Sequence, residues 1–152
     1  MSSKPNPFVW HDLITTDVKG AKAFYAKVIG WNMKSFSPAD EYTVLLAGEI
    51  GIGGIMAIPP DACERGAPAC WQGYIAVDDV DAYAQRIKSK GGAILRGAQD
   101  IHNDGRFALG ADPQGAVCIA FKPNSGETMP KASPGQPGLG GWNELHAGEV
   151  RR

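Results

Sequence analysis

Among 152 residues there are only three cysteines, Cys63, Cys70 and Cys118, and none forms a C-x-x-C pair. A small, odd number of thiols excludes the disulfide framework of a small secreted domain and argues for a reducing compartment, the cytoplasm. Charge of one sign is also scarce. Lys and Arg together number 15 and Asp and Glu 16, interleaved to a net charge of −1, so the basic stripe of a nucleic-acid binder is absent. No apolar run approaches the roughly 18 residues of a membrane helix. The first residues, MSSKPNPF, have neither the apolar stretch of a signal peptide nor the Arg-rich amphipathic character of a transit peptide. Small-molecule chemistry becomes the favoured class.

What the chain does have is apolar content, 43% of residues. That is enough for one core or for two tightly paired half-domains, burying roughly 68 to 70% of the unfolded surface at this size. It also has a repeat, the feature to seek before any other. Setting Asp17-Val18 over Asp79-Val80 places Leu13 on Ile75, Tyr25 on Ile87 and Gly30 on Gly92 without a gap. Each copy opens with a strand-like run, FVWHDLITT or CWQGYIAVD, then changes from period 2 to period 3.6 at an acidic residue. Asp17 and Asp79 are the expected N-caps, each worth about 1 kcal/mol. The expected buried stripes are Val18, Ala21, Tyr25 and Val28 in one helix, and Val80, Tyr83, Ala84 and Ile87 in the other. Gly30 and Gly91-Gly92 supply the left-handed stops.

Strand character then returns three times in each copy: WNMKSFS, EYTVLLAG and GIGGIMAI, and later AILRGAQ, RFALGAD and AVCIAFKP. Turns are expected at Ser37-Pro38-Ala39-Asp40, Asn103-Asp104-Gly105 and Asp112-Pro113-Gln114-Gly115. The unit is βαβββ, made twice, over about residues 8–60 and 69–123, with IPPDACERGAPA as the connection. One helix covers only one face of four strands. The expected fold is therefore α+β, with two βαβββ units forming a curved eight-stranded sheet around a concave cavity and helices on the convex side. Strand parity puts Trp10, Asp12 and Ile14 on one face and His11, Leu13 and Thr15 on the other, and it separates Gln72, Tyr74 and Ala76 from Gly73, Ile75 and Val77.

A third start follows. After the Gly/Pro-rich linker at 124–141, WNELHAGEV repeats WHDLITTDV, with Trp142 on Trp10, Glu144 on Asp12 and Glu149 on Asp17. Residues 142–152 read as the first strand of an incomplete third unit. Such a strand could pair with an exposed sheet edge.

Paired βαβββ units carrying D-V-x-x-A-x-x-F-Y-x-x-x-x-G-W in the first half, and V-D-D-V-D-A, K-G-G and A-D-P-Q-G-A in the second, resemble the vicinal oxygen chelate superfamily. That superfamily includes glyoxalase, bleomycin resistance and extradiol dioxygenase proteins, and the resemblance covers about residues 8–123. Its metal-using members take ligands from the first and last strand of each unit. Those positions fall here on Trp10, Gln72 and Ile119, with the fourth on Met56. A divalent metal needs imidazole or carboxylate ligands, three or more of them. The resemblance therefore implies a domain that keeps the cavity without a metal or other cofactor. The implied cavity is lined by Trp10, Met56 and Ile119, with Asp12, Gln72 and Tyr74 orienting an apolar or aromatic small molecule. A homodimer without membrane or nucleic-acid partners is expected, and no catalytic residue stands out. The alternatives are a metal-dependent lyase or dioxygenase recruiting other residues, and a structural fragment of a tandem two-domain protein.

Other candidates have plainer readings. His11 is one step off the ligand position and by parity faces the helix layer. His102 belongs to a hairpin turn. His146 shares a face with Glu144, a weak metal signal. GEIGIGG lacks G-x-G-x-x-G and a following helix, so its glycines mark a bulge or a bending strand. Cys118 points away from the cavity and is expected to be inert.

Overall fold

A computed structural model describes residues 6–35, 41–101, 104–124 and 137–145. The turn expected at Ser37–Asp40, and both His102 and His146, lie outside the described residues. The fold is α+β, with eight strands and three helices among the described residues. In chain order they are β1 (Phe8–Thr15), α1 (Val18–Val28), β2 (Asn32–Lys34), β3 (Tyr42–Ala47), β4 (Ile50–Ala57), α2 (Pro60–Glu64), β5 (Cys70–Ala76), α3 (Val80–Ser89), β6 (Ala93–Ile101), β7 (Gly105–Ala111) and β8 (Val117–Pro123). The segment read as a plain connection holds the short helix α2. A proline at its first position makes this possible, because the missing N–H would have had no partner there.

The described residues divide into two compact units. The first comprises residues 10–72 with 137–142, and the second residues 6–9, 73–124 and 143–145. In the first unit β1 and β4 run parallel, with Asp12 opposite Gly54 and Ile14 opposite Met56, while β3 pairs antiparallel with both β4 and β2. The second repeats the pattern: β5 and β8 are parallel, and β7 is antiparallel to β8 and to β6. Placing the first and last strand of a unit side by side and parallel requires a crossover between them, and the helix supplies it.

Both caps form as expected. The Asp17 carboxylate accepts from the Gly20 N–H at 2.8 Å and that of Asp79 from the Ala82 N–H at 3.0 Å. Gly30 and Gly91 adopt φ of +82° and +85°, the left-handed stops. Gly92 has a different reason to be glycine: a Cβ there would stand 2.5 Å from the Ala111 carbonyl and 2.8 Å from an Ile87 methyl. The Asp112 carboxylate closes its turn by accepting from Gln114 and Ala116 N–H at 2.9 and 2.8 Å.

In the first unit Val18, Ala21 and Tyr25 of α1 pack on Leu13, Leu45 and Ile55. Val28, expected in the same stripe, is 62% exposed. It stands at the last residue of α1, just before the Gly30 stop, where the chain turns away. In the second unit Val80, Tyr83 and Ala84 of α3 pack on Val77, Ala108 and Ala120. The start of β1 serves this second unit. The Pro7 carbonyl accepts from Ala76 N–H at 2.9 Å, Asn6 donates to the Tyr83 hydroxyl, and the Phe8 ring occupies the space a Cβ on Gly73 would need. Of the tail, residues 142–145 carry no strand, and Trp142 and Leu145 are exposed.

Candidate functional site

Leu13 lies in the helix-facing core of the first unit, so alternation along β1 turns Trp10, Asp12 and Ile14 to the opposite face. Register brings Gly54 and Met56 of β4, and Tyr42 and Val44 of β3, to that same face. Asp12 is only 2% exposed. One of its carboxylate oxygens, Oδ1, accepts from the Tyr42 hydroxyl at 2.6 Å and from Trp10 Nε1 at 2.9 Å, and Trp10 Nε1 also lies 2.7 Å from the Tyr42 oxygen. A buried carboxylate is costly unless its oxygens are bonded. The two aromatic donors, one from β1 and one from β3, meet that requirement at Oδ1.

The glycines of β4 make room for this arrangement. A Cβ on Gly54 would fall 2.1 Å from the Tyr42 hydroxyl and 2.2 Å from its ring carbon, and one on Gly51 would touch the Trp10 ring at 3.4 Å. The hydroxyl end of Tyr42 therefore occupies the space over Gly54 that a side chain there would need. Between them Ile52 is the extra residue of a β-bulge, where the register shifts between Leu45 and Leu46. The glycine-rich run thus marks the bulge expected of it.

The sequence-derived site residues fall in two places. Trp10, Asp12 and Met56 share the face just described. Gln72 stands in β5 beside Cys70, on the portion of that strand grouped with the first unit. Tyr74 and Ile119 are direct partners of the β5–β8 pair in the second unit, where Ile119 is buried and Tyr74 meets Phe121 edge-on at 5.6 Å. His11 shares the helix-side parity of Leu13. Cys118 lies on the parity of Ala120, a residue of the helix-side core. Burial pushes its thiol pKa up and the Asp112 charge adds to this. Burial also raises Cys70, against a smaller lowering by its hydrogen bond to Gln72.

Tyr42 is the residue that reading along the sequence missed. Its only signal is its place on an alternating strand, and the bulge at Ile52 hides the register that would carry it to Gly54 and Asp12. Trp31 and Trp71 were missed too. Tyr25 stacks on Trp31 at 5.4 Å and meets Trp71 edge-on at 5.4 Å, and its hydroxyl accepts from Trp71 Nε1 at 3.1 Å.

Among the described residues no group of three or more His, Cys, Asp or Glu side chains is placed to hold a metal ion. Trp10, Met56, Gln72 and Ile119 do not fit one either, since none offers imidazole or carboxylate. No helix among these residues is long and apolar enough to cross a membrane.

Comparison with known proteins places this geometry. Residues 6–118 match the profile of the Glyoxalase/Bleomycin resistance protein/Dioxygenase superfamily. The candidate glyoxylase CFP32 of Mycobacterium bovis is 39% identical over 117 residues, 76% of this chain and 43% of that protein. The anthracycline biosynthesis protein DnrV of Streptomyces peucetius is 29% identical over 153 residues, 93% of this chain and 55% of that protein. The chain thus spans about half the length of these relatives. Among solved structures, methylmalonyl-CoA epimerase from Mycobacterium tuberculosis superposes with a TM-score of 0.56 at 16% identity, covering 82% of this chain and 93% of that one. The Mn(II)-bound glyoxalase of Novosphingobium aromaticivorans does so with a TM-score of 0.54 at 14% identity, over 78% and 39%. The family match, the identity to CFP32 and the twice-made βαβββ unit agree: the chain belongs to the glyoxalase/bleomycin resistance protein/dioxygenase superfamily.

Proposed function

We propose that this protein binds an apolar or aromatic small molecule without a metal, against the sheet face that carries Trp10, Asp12, Tyr42 and Met56. The observation that carries the reading is the commitment of Asp12. Among the described residues of β1, β3 and β4 it is the one carboxylate on that face, and both Trp10 and Tyr42 donate to it. A carboxylate so held orients two aromatic side chains, and what those aromatics offer a ligand is ring surface. Gln72 is a further polar group proposed for this unit's lining, and Tyr74 and Ile119 are proposed as ligand-lining residues of the second unit. Relatives named for anthracycline biosynthesis are in keeping with an aromatic ligand, anthracyclines being polycyclic aromatics. The three free thiols suit a reducing cytoplasm, and we expect a homodimer.

The test is a fluorescence titration with a panel of polycyclic aromatic ligands and with 8-anilinonaphthalene-1-sulfonate, alongside elemental analysis of protein purified without chelator. Saturable binding that weakens at least tenfold in Trp10→Ala, with the protein still folded by circular dichroism, is the expected result. Near-stoichiometric tightly bound Ni, Zn, Mn or Fe would overturn the metal-free reading in favour of a lyase or dioxygenase. Saturable binding unaffected by Trp10→Ala would move the ligand elsewhere. No binding across the panel would favour a structural part of a two-domain protein.

A further inference from the structure

The linker between the second unit and the tail includes a segment seated on the first unit. Trp31 Nε1 donates to the Gly138 carbonyl at 2.7 Å, although the two residues are 107 apart in sequence. Gly138 has φ +81°, a left-handed conformation, and a Cβ there would stand 3.4 Å from Ala47 Cβ and 3.5 Å from Trp31 Nε1. Pro137 and Gly138, together with Ile29, Gly30, Trp31, Ala47 and Gly48, line a cleft of about 230 Å³. The seat is well founded, since the Trp31 ring stacks on Tyr25 and both pack against Leu13, Leu45 and Ile55. An indole N–H bonded to a backbone carbonyl, on a residue that only glycine occupies without strain, is a specific contact.

Four residues beyond Gly138 stands Trp142, where the sequence begins to repeat Trp10. We propose that the cleft between the end of α1 and the β3–β4 turn is a docking site for the chain's own Pro137–Gly138 segment, and that this anchor sets the point from which the repeat at Trp142 departs. In a two-domain protein of this family it would fix where the following domain starts. The tail also differs from the head at this point. The head carries Asn6-Pro7-Phe8 before Trp10, and these residues hold it to Tyr83, Ala76 and Gly73. The tail carries Gly138-Leu139-Gly140 in their place, so in the tail the Trp31 anchor stands where those contacts stand in the head. The proposal is independent of the ligand reading above.

Nitrogen-15 NMR of the full chain tests it. Four tryptophans give four indole signals, and Trp31→Phe identifies that of Trp31. In Gly138→Val the Trp31 signal is expected to move and its hydrogen exchange to quicken several-fold, about tenfold at most for one ordinary hydrogen bond. Gly140→Val, where a Cβ meets nothing within 4 Å, leaves both unchanged, and the Trp10 signal reports in each variant that the first unit is folded. Trp31→Phe keeps an aromatic ring, though a smaller one, and removes the donor, so it is expected to shift the backbone amides of Leu139 and Gly140 toward random-coil values. A Trp31 indole indifferent to Gly138→Val, one equally sensitive to Gly140→Val, or amides at 139 and 140 indifferent to Trp31→Phe would each overturn the anchor.

Discussion

Removing one oxygen tests the heart of the candidate site. In Tyr42→Phe the Asp12 carboxylate loses the 2.6 Å donor, while Trp10 Nε1 at 2.9 Å stays in place. With Asp12 2% exposed, bulk water is poorly placed to replace the lost hydroxyl. A hydrogen bond to a charged group contributes about 1.5 to 3 kcal/mol net. For a domain of this size each kcal/mol corresponds to about 2 to 4 °C, so Tm is expected to fall by about 3 to 12 °C. Chemical denaturation should show the same loss as a lower midpoint with an unchanged slope. Gly54→Ala reaches the same contact from the other side, because its methyl group would lie 2.1 Å from the Tyr42 hydroxyl and the ring must lift away. The two changes break one interaction, so the double variant should cost little more than Gly54→Ala alone. A Tyr42→Phe protein within about 1 °C of the parent, or two costs that simply add, would refute the reasoning.

Two further predictions follow from the titratable groups. Burial raises the pKa values of Cys70 and Cys118, leaving less thiolate at a given pH, whereas Cys63 is exposed. Under iodoacetamide at pH 8, mass spectrometry should find Cys63 alkylated first and Cys118 slowly, and comparable rates at both would contradict this. Arg106 bonds both oxygens of Asp81, at 2.8 and 3.0 Å, and also Asp100 at 3.0 Å, and the bond to Arg106 holds the Asp81 pKa below the usual carboxylate range. A carboxylate lowered in the folded state adds stability above its unfolded pKa of about 3.9 and loses it as pH falls through the folded value. Arg106→Gln should therefore flatten the fall of Tm between pH 5 and 2.5, and an acid limb of undiminished steepness would remove Asp81 from the account.

Much of the fold was legible because its signals are local or repeated. Asp17 and Asp79 announce the helix starts, Gly30 and Gly91 the stops, and Asp112 the turn before β8, each through chemistry within a few residues. Placing one copy over the other found the unit twice, and parity placed Leu13 on the helix side of β1. Less of the candidate site was legible. Trp10 and Asp12 were readable as neighbours by alternation, but nothing along the chain says that a carboxylate two residues from a tryptophan is bonded to it, or that Tyr42 completes the set. Val28 misled because periodicity marks a helix face and is silent on where the packing beneath it ends.

The amino-acid sequence by itself determined the repeated βαβββ unit, its caps and its turns, since these depend on hydrophobic period and on hydrogen bonds closed within a few residues. Only the tertiary structure decided that Tyr42 lies over Gly54 and bonds Asp12, that Phe8 rests on Gly73, and that Gly138 is held by Trp31. Each of those contacts depends on strand register or on a distant segment arriving at a particular place. A one-residue bulge such as that at Ile52 changes which side chains meet while leaving the local pattern of the sequence almost untouched.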